Sequence, residues 1–192
     1  MKIWLAISTP FQANLFGELI ETLKGKVDFF VTAREHDNIT SILDARKVEY
    51  SVVGKHGGKQ LFDKLSAYAQ TVAAMIPLVH KEKPDLMLTE RWPEAVRVAF
   101  GLNIPIWTLF YDEREYHVNR MVFPLSSKVF APDFYTPNEL RDQGVIDTSV
   151  VTWFKGFHAA YLKAYHLKGP DPYKEMGLSH PVVLLRSEPH FA

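Results

Sequence analysis

The sequence predicts an α/β fold: a Rossmann-like three-layer αβα sandwich built on a parallel sheet. Three observations carry this reading. Short apolar runs alternate with longer segments of helical period. The runs are near-continuously apolar, as strands covered on both faces are. Polar and charged residues collect just past the ends of the runs. Alternation of this kind implies right-handed crossovers, with helices packed on both faces of the sheet.

The predicted strands are, in order, 2–8 (KIWLAIS), 27–33 (VDFFVTA), 50–54 (YSVVG), 85–90 (DLMLTE), 104–111 (IPIWTLFY), 128–132 (KVFAP), 149–153 (SVVTW) and 181–186 (PVVLLR). Between the third and fourth, residues 60–82 place Leu61, Leu65, Tyr68, Val72, Met75 and Val79 at steps of three and four, an amphipathic helix that Pro77 is expected to kink. The next helix, 93–100, starts on Pro93, which suits a first turn, and closes at Gly101. From about 154 the chain turns rich in aromatics, Gly and Pro, with one short helix expected. The boundaries are therefore 1–153 for a Rossmann-like N-terminal domain and 154–192 for a linker and the first strand of a second domain that is missing or truncated.

Composition narrows the function. The 192 residues suffice for one substantial core, and 47% apolar against 23% charged residues is ordinary for a globular protein. Lys plus Arg equals Asp plus Glu, 22 against 22, so no bulk charge draws the chain to nucleic acid or anionic lipid. Absence of cysteine removes disulfides, thiolate zinc sites and a Cys nucleophile, and fits a reducing compartment. The N-terminal apolar run is too short for a signal peptide or a membrane span and reads as the first strand of a cytoplasmic protein. The eight histidines form no metal-ligand run, so neither metal nor cofactor is expected.

Ligands of an open α/β sheet sit at the carboxyl ends of its strands, so the residues there are the candidate site. Ser8 and Thr9 follow the first run, with hydroxyls that line a cleft or cap a helix. Arg34 follows the second. The third runs into His56, Gly57, Gly58 and Lys59, which either cradle a phosphate or sugar hydroxyls or form a turn that needs positive φ. A P-loop is not formed: Gly54 and Gly58 bracket three residues, and Gln60 stands where a hydroxyl would hold Mg²⁺. Glu90 and Arg91 follow the fourth run. Glu90 is a candidate general base, or one half of a surface ion pair. Asp112, Glu113 and Arg114 follow the fifth; Asp112 is the preferred base of the two clusters, or else a helix cap. Arg186 and Glu188 lie in the hinge-like RSEP segment, where they orient a ligand across a cleft or brace the linker. Aromatics of the tail, including Phe154, Phe157, Tyr161, Tyr165 and Tyr173, form a sugar platform or pack on the parent domain.

Several stretches, MKIWLAISTP, VTARE, VVGKHGGKQLFDKL, KPDLMLTERWPEAVRVAFGLNIP and VVLLRSEP, resemble a family of prokaryotic proteins defined by a domain of unknown function. That family is similar to GT-B glycosyltransferases and UDP-N-acetylglucosamine 2-epimerases, and the resemblance runs in order from Met1 to Ala192. It implies two Rossmann-like domains facing a cleft, with the nucleotide sugar held mainly by the C-terminal one and the acceptor by the N-terminal one. The chain then corresponds to a GT-B N-terminal domain, the acceptor side of a glycosyltransferase. It is expected to bind a sugar or sugar phosphate, to take a nucleotide sugar only with a C-terminal domain, and to be inactive by itself. Sugar-nucleotide epimerase or hydrolase chemistry, and a non-catalytic binding module or half of a complex, are the alternatives. The run 182–186 would leave an edge to cover, by its own sheet or by another copy in a homo-oligomer.

Overall fold

The computed structural model describes residues 1–157, 172–179, 181–183 and 185. Seven strands form one parallel sheet: β1 (Lys2–Ile7), β2 (Asp28–Glu35), β3 (Ser51–Lys55), β4 (Leu86–Thr89), β5 (Ile106–Leu109), β6 (Lys128–Pro132) and β7 (Val151–Phe154). The order across the sheet is β3-β2-β1-β4-β5-β6-β7, so the chain starts at the centre, winds outward to β3, then returns past β1 to build the other half. Leu5 pairs with Val31 on one side and with Leu88 on the other.

Because successive strand residues point to opposite faces, β1 feeds both cores. Ile3, Leu5 and Ile7 pack with Ala13 and Phe16 of α1 (Pro10–Thr22) and Ile39 and Leu43 of α2 (Ile39–Ala45). Trp4 and Ala6 join the opposite core, with Met75 and Val79 of α3 (Leu61–Glu82), Val96 and Ala99 of α4 (Pro93–Gly101), and Val122 of α5 (Tyr116–Val122). The buried indole N–H of Trp4 donates to Thr32 Oγ1 at 2.8 Å, tying β1 to β2 by a satisfied polar contact. A sixth helix, α6 (Pro137–Asp142), starts with a Thr136–Glu139 capping box and leads to β7.

Two expectations about elements change. The apolar stripe of α3 is only half buried: Met75 and Val79 are enclosed, whereas Leu61 and Leu65 are 82% and 69% exposed. The buried positions of α3 begin at Ala67, and Thr71 lies against Gly54 near the end of β3, whereas Leu61 and Leu65 precede them on the helix. The helix itself runs unbroken through Pro77. In the eighth apolar run, the described residues 181–183 and 185 belong to no strand, and a single helical turn, Pro172–Glu175, is the regular element of the described tail. Arg186, Glu188, Tyr161 and Tyr165 lie outside the described residues. Among the described residues, no helix is long and apolar enough to cross a membrane.

Candidate functional site

β1 and β4 are neighbours whose connections leave toward opposite halves of the sheet, which makes the gap between their carboxyl ends the topological switch point. A cleft of about 660 Å³ opens there. Ser8, Thr9, Arg34, His56, Gly57, Glu90 and Arg91 all border it, so the ends of four strands converge as strand-end geometry requires. Asp112, Glu113, Gly58 and Lys59 are not among the residues that border the cleft, and its lysines are Lys55 and Lys64.

Glu90 occupies the floor and is 1% exposed, so it is no member of a surface ion pair. Its Oε2 accepts a hydrogen bond from the Tyr111 hydroxyl at 2.9 Å. Its Oε1 is buried and accepts none among the described residues, although the Gln12 side chain lies beside the carboxyl. Burial outweighs Tyr111, the Arg91 charge and Gln12, and pushes the carboxyl up to about 7. Tyr111 is itself raised above the ordinary phenol range, by burial first and then by the Glu90 charge. Arg91 stacks its guanidinium 4.8 Å from the Tyr111 ring centre and donates to the Tyr111 oxygen at 3.2 Å.

The rest of the cleft divides by character. On the β2–β3 side, Arg34, the penultimate residue of β2, donates to both carboxylate oxygens of Glu94 on α4, at 3.2 and 3.3 Å, and lies over the Trp92 ring. Burial lowers its basicity while Glu94 opposes the shift. His36 and His56 stack with ring centres 5.0 Å apart. His56 is held below its usual pKa, by burial first and then by the charges of His36, Arg34 and Lys64, with Asp37 opposing. Val118 and Met121 of α5 and Tyr68 of α3 form a more apolar wall.

The glycines before α3 have structural reasons to be there. A Cβ on Gly57 would come within 2.5 Å of the Lys64 Cα, so the loop lies flat against the helix only because that position is bare. Gly58 has φ +75°, and its N–H donates to His56 Nδ1 at 3.1 Å, which fixes the imidazole that faces the cleft. Thr9 caps α1 in a capping box with Gln12, whose Oε1 also accepts from the Ser8 N–H. Asp112 caps a 3-10 turn (Glu113–Glu115) and accepts from the Arg114 backbone N–H and guanidinium. The Arg114 bond holds its carboxyl below the usual carboxylate range. Glu113 accepts from the Tyr135 hydroxyl at 2.7 Å, which lowers it likewise.

Sequence reasoning missed Tyr111, Gln12, Lys55, Lys64 and Glu94. The aromatic pair after Leu109 reads as strand residues, so the sequence places Tyr111 inside a fifth strand that ends at Leu109 in the structure. Helical residues such as Lys64 and Glu94 enter the cleft from elements that a list of strand ends does not cover.

The model of the family described as "Protein of unknown function (DUF354)" matches residues 1–192. The chain belongs to the DUF354 family. One relative of this DUF354 chain, the uncharacterized protein MJ0665 of Methanocaldococcus jannaschii, is 24% identical over 99% of the chain and 57% of the relative. Among solved structures, the UDP-bound Staphylococcus aureus MnaA is similar at 17% identity and a TM-score of 0.69, covering 92% of the DUF354 chain and 51% of MnaA. UDP-GlcNAc 2-epimerase of Neisseria meningitidis bound to UDP-GlcNAc follows at 18% identity and TM-score 0.61, covering 79% and 45%. MurG of Acinetobacter baumannii is similar at 10% identity and TM-score 0.54, covering 71% and 43%. The fold is that of GT-B proteins, and the chain spans about half the length of these relatives.

Proposed function

We propose that this chain is the N-terminal, acceptor-side domain of a GT-B-like glycosyltransferase acting on a nucleotide-activated sugar, with Glu90 as its proton-transfer group and a second domain holding the nucleotide. The observation that carries the reading is Glu90: a carboxyl at the switch point of the sheet, enclosed, with one oxygen unpartnered and a pKa near 7. A group so poised takes a proton from a sugar hydroxyl and releases it at the same pH. Asp112, the base favoured by sequence, is neutralised by its own Arg114 and is held ionised as a weak base. The side of the cleft with Arg34, Lys55 and Lys64 suits a phosphate on the sugar.

Epimerisation of a sugar nucleotide on the same scaffold is the second reading. A carboxyl near pKa 7 serves equally well to remove a proton from carbon and return it, and two of the similar structures are named UDP-GlcNAc 2-epimerases, from Neisseria meningitidis and Methanocaldococcus jannaschii. Calorimetric titration with N-acetylglucosamine 1-phosphate and with UDP tests the assignment. The sugar phosphate is expected to bind and to lose roughly tenfold in affinity in Glu90→Gln, the size of one hydrogen bond to a charged group. UDP is expected not to bind. A chain that binds UDP alone overturns the acceptor-side assignment, and one indifferent to the sugar phosphate overturns the site.

A further inference from the structure

The Tyr111 hydroxyl reaches Glu90 from a loop, and that loop is gripped by side chains. β5 makes its last ladder bond when the Phe110 N–H donates to Phe130 O at 2.8 Å. Beyond it, two successive carbonyls are held by side-chain amides from α5 and the C-terminal end of α6. Asn119 Nδ2 donates to Asp112 O at 2.9 Å and Gln143 Nε2 to Glu113 O at 3.3 Å, while the Tyr135 hydroxyl, whose one proton goes to the Glu113 carboxylate, lies 3.3 Å from Tyr111 O. Asn119 Nδ2 also donates to Gln143 Oε1 at 2.8 Å, which joins an amide of α5 to one at the C-terminus of α6. Both side chains are buried.

Packing alone does not explain Asn119. Its Oδ1 is buried with no hydrogen-bond partner among the described residues, so the position carries an unsatisfied acceptor that an apolar side chain of similar size would avoid. What an apolar residue could not supply is the pair of bonds from Nδ2. The loop so held is where the site closes. Arg91 donates to Asp112 O at 3.4 Å while stacking on Tyr111, and Phe11 packs 5.6 Å from the Tyr111 ring. The carboxyl ends of β1, β4 and β5 therefore meet at Tyr111.

We propose that Asn119 and Gln143 are positioning residues: their joined amides fix loop 111–113 so that the Tyr111 hydroxyl is held on Glu90 and the Arg91 guanidinium on the Tyr111 ring. This rests on the reading of Glu90 as the proton-transfer group, but its test reads the Glu90 carboxyl directly and needs no substrate. A wrong substrate class would leave the outcome untouched.

The test is a carbon-13 NMR titration of Glu90 in the full chain, for wild type, Tyr111→Phe, Asn119→Ala and the double variant. Besides Tyr111, the groups beside the carboxyl are Arg91 and Gln12, and both remain. Loss of the Tyr111 hydrogen bond removes support for the ionised form, so Tyr111→Phe raises the midpoint. Asn119→Ala is expected to raise it in the same direction, and to add nothing in the Tyr111→Phe background, because both act through one contact. An unchanged or lowered midpoint in Asn119→Ala, or a shift that adds to that of Tyr111→Phe, overturns the proposal. Should Asn119→Ala fail to fold, Gln143→Ala releases Glu113 O and removes the acceptor of Asn119 Nδ2 at the C-terminal end of α6. A raised Glu90 midpoint there supports the proposal and an unmoved one overturns it.

Discussion

At the scale of a residue, Glu90 ties stability to pH. Its carboxyl titrates near 4.5 when exposed and near 7 in the fold, so the folded state binds the extra proton between those values. Stability therefore falls as pH rises from about 4.5 to 7, by about 3 kcal/mol from this group, and is level above. Burial of His56 acts oppositely: its lowered pKa makes stability rise with pH until about 6.5. The contribution of Glu90 is isolated by the difference between wild type and Glu90→Gln in urea unfolding at pH 5 to 8. That difference is expected to grow in favour of the variant up to pH 7 and then stay constant. Strand-end logic found Glu90 in the sequence, because the end of a buried run is fixed by hydropathy alone. The contrast between Glu90 and Asp112 was not legible: both are acids after apolar runs. What separates them is a three-dimensional environment, an enclosed floor for Glu90 and an adjacent guanidinium for Asp112.

At the scale of an element, α3 performs two tasks along its length. The turns from Ala67 onward press Thr71, Met75 and Val79 into the core, and the first turns stand at the rim of the cleft. Truncating the two ends should thus differ sharply. Met75→Ala is expected to cost about 2–5 kcal/mol as a buried cavity, whereas Leu65→Ala stays within about 0.5 kcal/mol. Denaturant midpoints of the two variants check this, and equal losses would mean that Leu65 is covered. The periodicity of 60–82 revealed the helix and which face is apolar. It could not reveal where along that face the sheet stops, since an apolar stripe continues past the layer that buries it. The strand order was legible in the same limited way: alternation gave parallel strands and layers, while the central place of β1 depends on pairings between residues far apart in sequence.

At the scale of the whole molecule, both cores and all seven strands of the described residues lie within residues 2–154. We propose that this stretch is a domain in itself. A chain ending at Phe157 is expected to unfold cooperatively, with a melting temperature within a few degrees of that of the 192-residue chain, in calorimetry; loss of cooperativity would assign the tail to the core. The central position of β1 also governs the order in which this fold becomes available. Its first partner, β2, follows within one helix, but its second is β4, and the Thr89 hydroxyl that donates to Ala6 O stands 83 positions downstream. At a synthesis rate of about 5–20 residues per second, one side of β1 waits about 4–17 s for its neighbour. During that interval the nascent chain holds an apolar strand with an open edge, the kind of edge that pairs with other chains until its own neighbour covers it.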